Sequence, residues 1–336
     1  MKKILIIGAN GFTGRQIVND LSACKQYKLT GCSLHPDILP NNAEDYRFIE
    51  TDIRNEADVS HLFKEVQPDV VINCSALSVP DYCETHHEEA YLTNVTAVGQ
   101  LADLCEEYKS RFIHLSTDFV FDGKINETAG LLYTEKDLPA PVNYYGYTKW
   151  KGEERVAETC SSYAIVRVEI VYGKALPGQH GNIVQLVMNR LKAGQEIRVV
   201  SDQWRTPTYV GDVSDGVLRL IEHTANGIFH ICGDECMTIA EIAYQVADYM
   251  KLDRSLIHPT TTEEMNESTP RPRFSGMSID KARTMLGYRP QKLKEILANW
   301  DKLLGKEHIT NFLQPSISFR IFLSLYLLHI YFENMQ

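Results

Sequence analysis

A doubly wound α/β fold, with a parallel sheet and a smaller C-terminal lobe, is predicted by three features of the sequence. The chain opens on Lys3-Ile4-Leu5-Ile6-Ile7, an apolar run of the kind that forms a strand buried on both faces. A glycine-rich turn follows at once. Beyond it, strand-like and helix-like segments alternate through the first half of the chain. Such alternation builds a parallel sheet with right-handed crossovers and helices on both faces.

Each element has its own justification. A helical pattern over 15–23 follows the turn. Apolar runs at 28–33, 47–49, 70–74, 112–116 and 164–168 predict strands, with helices at 59–66, 88–108 and 144–159 between them. After about Gly173 the rhythm changes. Residues 182–193 predict a helix, 195–200 an extended segment and 239–251 another helix. The Pro-containing segments Arg205-Thr206-Pro207-Thr208 and Pro270-Arg271-Pro272-Arg273 interrupt this half. The expected division is a sheet domain over 1–173, joined again by a later strand near 205–232, and a lobe over 174–304. Residues 305–336 form an atypical apolar tail. Its stretch 317–332 contains Arg320 and His329 and is shorter than the ~20 residues a spanning helix needs. A docking helix, a membrane-surface element or a non-native extension of the reading frame is expected there, without stable membrane insertion.

Composition narrows the function classes. With 44% hydrophobic and 23% charged residues in 336, the chain reads as a soluble globular protein with a sizeable core. Its net charge of −10 excludes the broad basic footprint of a general nucleic-acid binder. The eight cysteines lack paired zinc-type spacing and read as buried free thiols in a reducing compartment. The apolar run after Lys3 is too short for a secretory signal, which needs about 7–15 such residues, so cytoplasm is expected. His86 and His87 precede Glu88 and Glu89, but no further ligands converge on them. The pair reads as a solvated helix start, and no metal site is expected.

Two clusters carry chemistry. In Gly8-Ala9-Asn10-Gly11-Phe12-Thr13-Gly14, three glycines at three-residue spacing join a buried strand to a helix. They allow a tight turn, close backbone approach to a pyrophosphate and close helix–strand packing, with the helix amides aimed at the phosphates. A nicotinamide dinucleotide is the expected ligand. NAD sites usually place an acid at the end of the second strand. Here Cys32-Ser33-Leu34-His35 has none, which permits a 2′-phosphate and favours NADPH over NADH.

The second cluster is Tyr145-Gly146-Tyr147-Thr148-Lys149. A tyrosine and a lysine four residues apart share one helix face. The lysine is expected to lower the phenol pKa and to hold the nicotinamide ribose, while Tyr145 protonates a carbonyl oxygen. Asn143 is a candidate helix cap. Ser116-Thr117-Asp118 closes the 112–116 strand at the sheet edge where ligands bind, and supplies a hydroxyl for the carbonyl.

With these residues in place, the order GANGFTG, NCSAL, HLSTDFVFDG and NYYGYTKWKGE resembles the extended short-chain dehydrogenases/reductases. That family has a Rossmann-type sheet and a C-terminal substrate-binding lobe. Within it, the chain is similar to dTDP-4-dehydrorhamnose reductases over residues 1–304, including Ser201-Asp202-Gln203, Thr206-Pro207-Thr208 and Arg271-Pro272-Arg273. The resemblance implies Tyr145 as proton donor, Lys149 as its helper and Thr117 as the triad hydroxyl. It places Gly8, Gly11, Phe12, Thr13 and Gly14 at the pyrophosphate, and Asp52 and Ile53 at the adenine. Ser33, Ala76, Leu77, Ser78 and Leu115 line the cofactor beside Tyr145 and Lys149. Thr117, Asp118, Ile170, Arg205 and Arg271 face the sugar nucleotide. The implied reaction is reduction of the 4-keto group of dTDP-4-dehydro-L-rhamnose, and a homodimer is compatible with the family.

Three positions depart from that pattern. Ile170 stands where a tryptophan is common, three residues after Arg167. Ser33 replaces an acid, and Arg205 replaces a glycine, with a diphosphate contact or a surface ion pair as its expected roles. These features and the segment 227–237 also resemble the β subunit of methionine adenosyltransferase, an NADP-binding regulatory relative.

Overall fold

In the computed structural model, the described residues are 1–38, 45–124, 131–176, 179 and 181–303. Met1–Trp300 forms one compact unit. The tail stretch 317–332 lies outside the described residues.

Strands β1 (Lys2–Ile7), β2 (Tyr27–Ser33), β3 (Tyr46–Glu50), β4 (Val70–Asn73), β5 (Arg111–Thr117) and β6 (Tyr163–Val168) follow the apolar runs of the sequence. Shorter pieces come after them: β7 (Val171–Tyr172), β8 (Ile197–Val200), β9 (Trp204–Arg205), β10 (Thr208–Tyr209), β11 (Gly227–His230), β12 (Met237–Thr238) and β13 (Ile257–Thr260). The large sheet has seven strands in the order β11-β6-β5-β4-β1-β2-β3, and every pairing within it is parallel. From β1 the chain runs outward through β2 to β3, then crosses back to β4 on the other side of β1. That reversal leaves a crevice at the carboxyl ends of β1 and β4, the place where open α/β sheets bind ligands.

Alternation along β1 shows how the sheet is covered. Ile4 and Ile6 belong to the core on one face, Leu5 and Ile7 to the core on the other, and all four are fully buried. The first face packs against α1 (Phe12–Cys24) through Ile17 and Leu21. The second packs against α2 (Glu56–Val66) through Val59, Leu62 and Phe63. Burying one such aliphatic side chain contributes about 1.5–3 kcal/mol, so β1 is anchored from both sides.

The predicted helix over 88–108 is interrupted. A short helix α3 (Pro80–Cys83) precedes α4 (His87–Tyr91), a π-helical turn occupies Leu92–Thr96, and α5 (Ala97–Tyr108) completes the run. The bulge turns Asn94 inward, where its side chain is buried. Next comes α6 (Tyr144–Thr159), whose boundaries match the sequence expectation.

The later elements are α7 (Ile183–Lys192), α8 (Val210–Glu222), α9 (Ile239–Met250), α10 (Thr262–Met265), α11 (Asp280–Leu286) and α12 (Leu293–Ala298). α8 carries Val213, Val217 and Leu220 onto the first core, while β8 and β13 make a separate parallel pair near α9. Among the described residues, no helix is long and apolar enough to cross a membrane, and no group of three or more potential ligands could hold a metal. His86 and His87 instead stack on Tyr82 and Tyr144, with ring centroids 3.7 and 3.8 Å apart. The cysteines are free; five are buried as expected, while Cys24 and Cys74 are half-buried and Cys236 is exposed.

Candidate active site

The glycine turn forms a backbone cradle. Gly8 has φ 78°, the left-handed region that favours glycine, and a Cβ there would stand 2.8 Å from the Ser75 nitrogen. A Cβ on Gly14 would stand 2.2 Å from the Gly8 carbonyl oxygen, so α1 closes onto the turn only with glycine at that point. Gly11 caps α1 without a side-chain hydrogen bond. Phe12 and Thr13 open that helix, whose first amides therefore face outward free for an anion. This is the donor set that a dinucleotide pyrophosphate needs.

The flanks of the cradle are built from the other expected residues. The Ser33 hydroxyl accepts from the Asn10 amide at 3.0 Å and so braces the turn itself. Asp52 pairs with Arg54 at 2.8 Å, which holds its carboxyl below the usual range, and Ile53 beside it is buried. Ala76, Leu77 and Ser78 follow β4. Asn94 fixes that segment by accepting from the Leu77 amide at 2.9 Å and donating to the Leu77 carbonyl at 3.0 Å. The same Asn94 amide donates to Thr148 Oγ1 at 3.0 Å, which ties the loop to α6.

Helix α6 brings its residues to the sheet edge because its N-terminus is held on three sides. Asn143 caps it, accepting from the Gly146 amide at 2.8 Å and donating to the Pro270 carbonyl at 2.8 Å. Glu84 accepts from the Tyr144 amide at 2.9 Å. Gly146 lies against the segment after β5, where a Cβ would meet the Phe119 carbonyl oxygen at 2.1 Å. Two turns further along, Glu153 forms a buried bidentate pair with Arg167 on β6.

Tyr145 and Thr117 are brought together: the Thr117 hydroxyl lies close enough to the phenol to bear on its ionisation, and the phenol ring meets Phe119 edge-on at 5.7 Å. Thr117 Oγ1 also donates to Asp118 Oδ1 at 3.0 Å and accepts from the Phe119 amide at 3.2 Å. Lys149 is turned elsewhere. Its buried ammonium donates to the Leu115 carbonyl at 2.8 Å and lies 3.4 Å from His114 Nε2. Burial lowers its pKa to about 8.

The expectation that Lys149 pulls the phenol pKa down is therefore corrected. Burial pushes Tyr145 up, the nearby Thr117 hydroxyl opposes this, and the Asp118 charge adds to it. A raised phenol stays protonated at neutral pH, which suits a proton donor.

Arg205 is also corrected. It makes no surface pair; it is 2% exposed, and its guanidinium donates to the Trp204 and Pro272 carbonyls at 2.7 Å each. Its Nε lies 3.8 Å from Glu169 and 4.0 Å from Asp118. Arg271 pairs with Asp81 at 3.4 Å and Glu267 at 3.2 Å, on the wall of a cavity of about 480 Å3. Phe119, Ile170, Arg190 and Arg198 line the same cavity. Ile170 holds φ 34°, a conformation that costs a β-branched residue about 1–3 kcal/mol and fixes its position at the end of β6.

Sequence reading missed Asn94, His114, Glu153, Glu169 and Ser275. Only Glu153 left a signal, since it continues the four-residue spacing of Tyr145 and Lys149 along one face of α6.

Comparison with known proteins agrees with this architecture. A family model described as the RmlD substrate binding domain matches residues 1–303. The chain is 32% identical over 296 residues to the probable low-salt glycan biosynthesis reductase Agl14 of Haloferax volcanii, covering 87% of this chain and 95% of the relative. It is 28% identical over 314 residues to methionine adenosyltransferase 2 subunit beta of Rattus norvegicus, covering 91% and 89% of the two chains. It is also similar to dTDP-4-dehydrorhamnose reductase from Bacillus anthracis, solved in complex with NADP, with TM-score 0.76, 27% identity and 89% and 98% coverage. The chain belongs to the RmlD substrate-binding-domain family and is an extended short-chain dehydrogenase/reductase resembling dTDP-4-dehydrorhamnose reductase.

Proposed function

We propose that the chain reduces a nucleotide-linked 4-keto sugar with a nicotinamide cofactor, and that dTDP-4-dehydro-L-rhamnose is its substrate. The observation that carries this reading is the placing of the Tyr145 phenol beside Thr117 at the carboxyl end of β5, against Phe119, which with Ile170 lines the cavity. The run Cys32-Ser33-Leu34-His35 at the end of β2 holds no acid, which favours NADPH over NADH. We assign residues 174–304 mainly to the substrate lobe, and the cytoplasm and a homodimer complete the reading.

The bound nicotinamide would supply hydride to the carbonyl carbon. The residues of the chain handle the oxygen. Tyr145 gives its phenolic proton to that oxygen as charge develops there, and is left as a phenolate. An alkoxide is a stronger base than a phenolate, so this transfer runs downhill even from a phenol whose pKa is raised. Thr117 supplies a second donor to the same oxygen. Lys149, fixed by Leu115 and His114, presents a cation beneath the cradle for the ribose hydroxyls. Arg271, Arg190 and Arg198 give the cavity the positive lining that a diphosphate requires.

The likeness to methionine adenosyltransferase 2 subunit beta, along 91% of this chain, supports a second reading as a cofactor-binding regulatory subunit. Consumption of NADPH and NADH with dTDP-4-dehydro-L-rhamnose separates the two. Turnover with formation of the reduced sugar supports the reductase; tight cofactor binding without turnover on any nucleotide keto-sugar supports the regulatory subunit.

A further inference from the structure

Behind Thr117, the buried side chains hold more acceptors than protons. Ser275 Oγ stands 2.6 Å from Asp118 Oδ2 and 2.7 Å from Glu169 Oε1. All three residues are almost completely buried, at 0, 4 and 1% exposure respectively. A hydroxyl carries one hydrogen and can donate to only one carboxylate. Were both acids ionised, one of these short contacts would press two lone pairs together without a proton. The remaining oxygens are already served. Glu169 Oε2 accepts from the Thr206 amide at 2.8 Å and from the Thr206 hydroxyl, and Asp118 Oδ1 accepts from Thr117.

Charge gives the same count. Arg205 is the cation paired with this cluster, 3.8 Å from Glu169 and 4.0 Å from Asp118. Two carboxylates and one guanidinium leave a net negative charge without water to solvate it; one added proton removes it. The other titratable groups facing the pair are Tyr145 from α6 and Cys232 and Cys236 from the segment after β11. Burial pushes both carboxyls above the usual carboxylate range, and the neighbouring Asp118 charge adds to the rise of Glu169.

We propose that Glu169, Ser275 and Asp118 share one proton, resting on Glu169, and that its position directs the Thr117 hydroxyl, making Glu169 a positioning residue for the reduction. The functional half of this proposal rests on the reading that Tyr145 and Thr117 act on a carbonyl.

With the proton on Glu169, its Oε1–H donates to Ser275, Ser275 donates to ionised Asp118, and Thr117 donates to Asp118 Oδ1. The Thr117 hydroxyl is then withheld from Tyr145 and from a substrate oxygen, because its single hydrogen is committed to Asp118. In the second state the Glu169 O–H bond breaks as that hydrogen bonds to Ser275 Oγ. The original Ser275 hydrogen passes to Asp118 Oδ2. Glu169 becomes the carboxylate and Asp118 the acid, with no atom or charge gained or lost. Neutral Asp118 is the weaker acceptor, which releases the Thr117 hydroxyl to a substrate oxygen beside Tyr145.

The test has two arms. Infrared spectra of the folded wild-type protein, with its glutamates carrying 13C at the side-chain carboxyl, should show at neutral pH a protonated carboxylic acid band displaced by the label. The label separates Glu169 from buried Asp212, whose carboxyl is also pushed up by burial. The band should vanish on unfolding at the same pH and be missing from Glu169→Gln. A folded wild-type protein without a labelled acid band overturns the placement of the proton on Glu169, and the proposal with it, whatever the protein catalyses. In the second arm, Glu169→Gln keeps an N–H donor toward Ser275 but cannot pass a proton. Its kcat should fall at least ~10-fold with little change in KM, and the wild-type pH dependence of kcat near neutrality should flatten. Wild-type kcat and pH profile in Glu169→Gln would overturn the positioning role and leave Glu169 structural. Undiminished turnover in Tyr145→Phe would instead sink the reductase assignment of Tyr145, and the functional half with it, while the infrared result stands apart.

Discussion

Arg167 on β6 and Glu153 on α6 form a bidentate ion pair, with N–O distances of 2.9 and 2.6 Å, sealed between the sheet and the helix that carries Tyr145. Removing one partner leaves a charge buried without compensation. Arg167→Met should cost about 3–5 kcal/mol in urea unfolding, and Glu153→Leu a similar amount. The double variant should recover much of that loss, because each charge is the reason the other is tolerated. Two additive losses would show that the pair is not coupled.

Gly146 lets α6 touch the segment after β5. A methyl group there would lie 2.1 Å from the Phe119 carbonyl oxygen. Gly146→Ala should therefore shift the start of α6 and destabilise the fold by about 1–3 kcal/mol. Displacing Tyr145 should also lower kcat by more than the loss of folded protein explains, as active-site titration against thermal unfolding will show.

Gly14 makes the corresponding contact in the cradle, where a Cβ would stand 2.2 Å from the Gly8 carbonyl oxygen. Gly14→Ala should weaken NADPH binding at least ~10-fold, about 1.4 kcal/mol, in a fluorescence titration. Wild-type affinity in a folded variant would contradict the cradle as the pyrophosphate site.

Lys149 predicts a pH dependence of stability. Burial lowers its pKa from 10.5 to about 8. Between those values the unfolded chain holds the proton that the folded one has released, so stability rises with pH across this window. Below about 8 the whole penalty is present, on the order of 3 kcal/mol. Urea unfolding of wild type and Lys149→Met should show the wild type gaining on the variant from neutral pH to about pH 10. A constant difference would mean that Lys149 titrates normally in the folded state.

The sheet and the cradle were legible because they depend on local pattern. Apolar runs mark β1 to β6, and three spaced glycines mark the turn after β1. Tyr145 and Lys149 were found through helical spacing and Thr117 through its place at the end of a strand, but the partners of Lys149 were not. Lys149 turns to Leu115 and His114, contacts spanning 34 and 35 residues that no local periodicity encodes. Asn94 depends on a π-helical turn inside an otherwise regular helix, and Ser275 reaches Asp118 across 157 positions. A surface ion pair was expected of Arg205 for a similar reason: the carbonyls of Trp204 and Pro272 that enclose it are invisible in a list of side chains.

The most direct measurement is the rate of NADPH oxidation with dTDP-4-dehydro-L-rhamnose, compared between the wild-type protein and Tyr145→Phe. The geometry predicts turnover in the wild type and a kcat lower by about 10²–10⁴ in the variant, with cofactor affinity retained. Equal rates in the two proteins, or no turnover in a wild type that binds NADPH, would contradict the assignment of Tyr145 as proton donor of a rhamnose-type reductase.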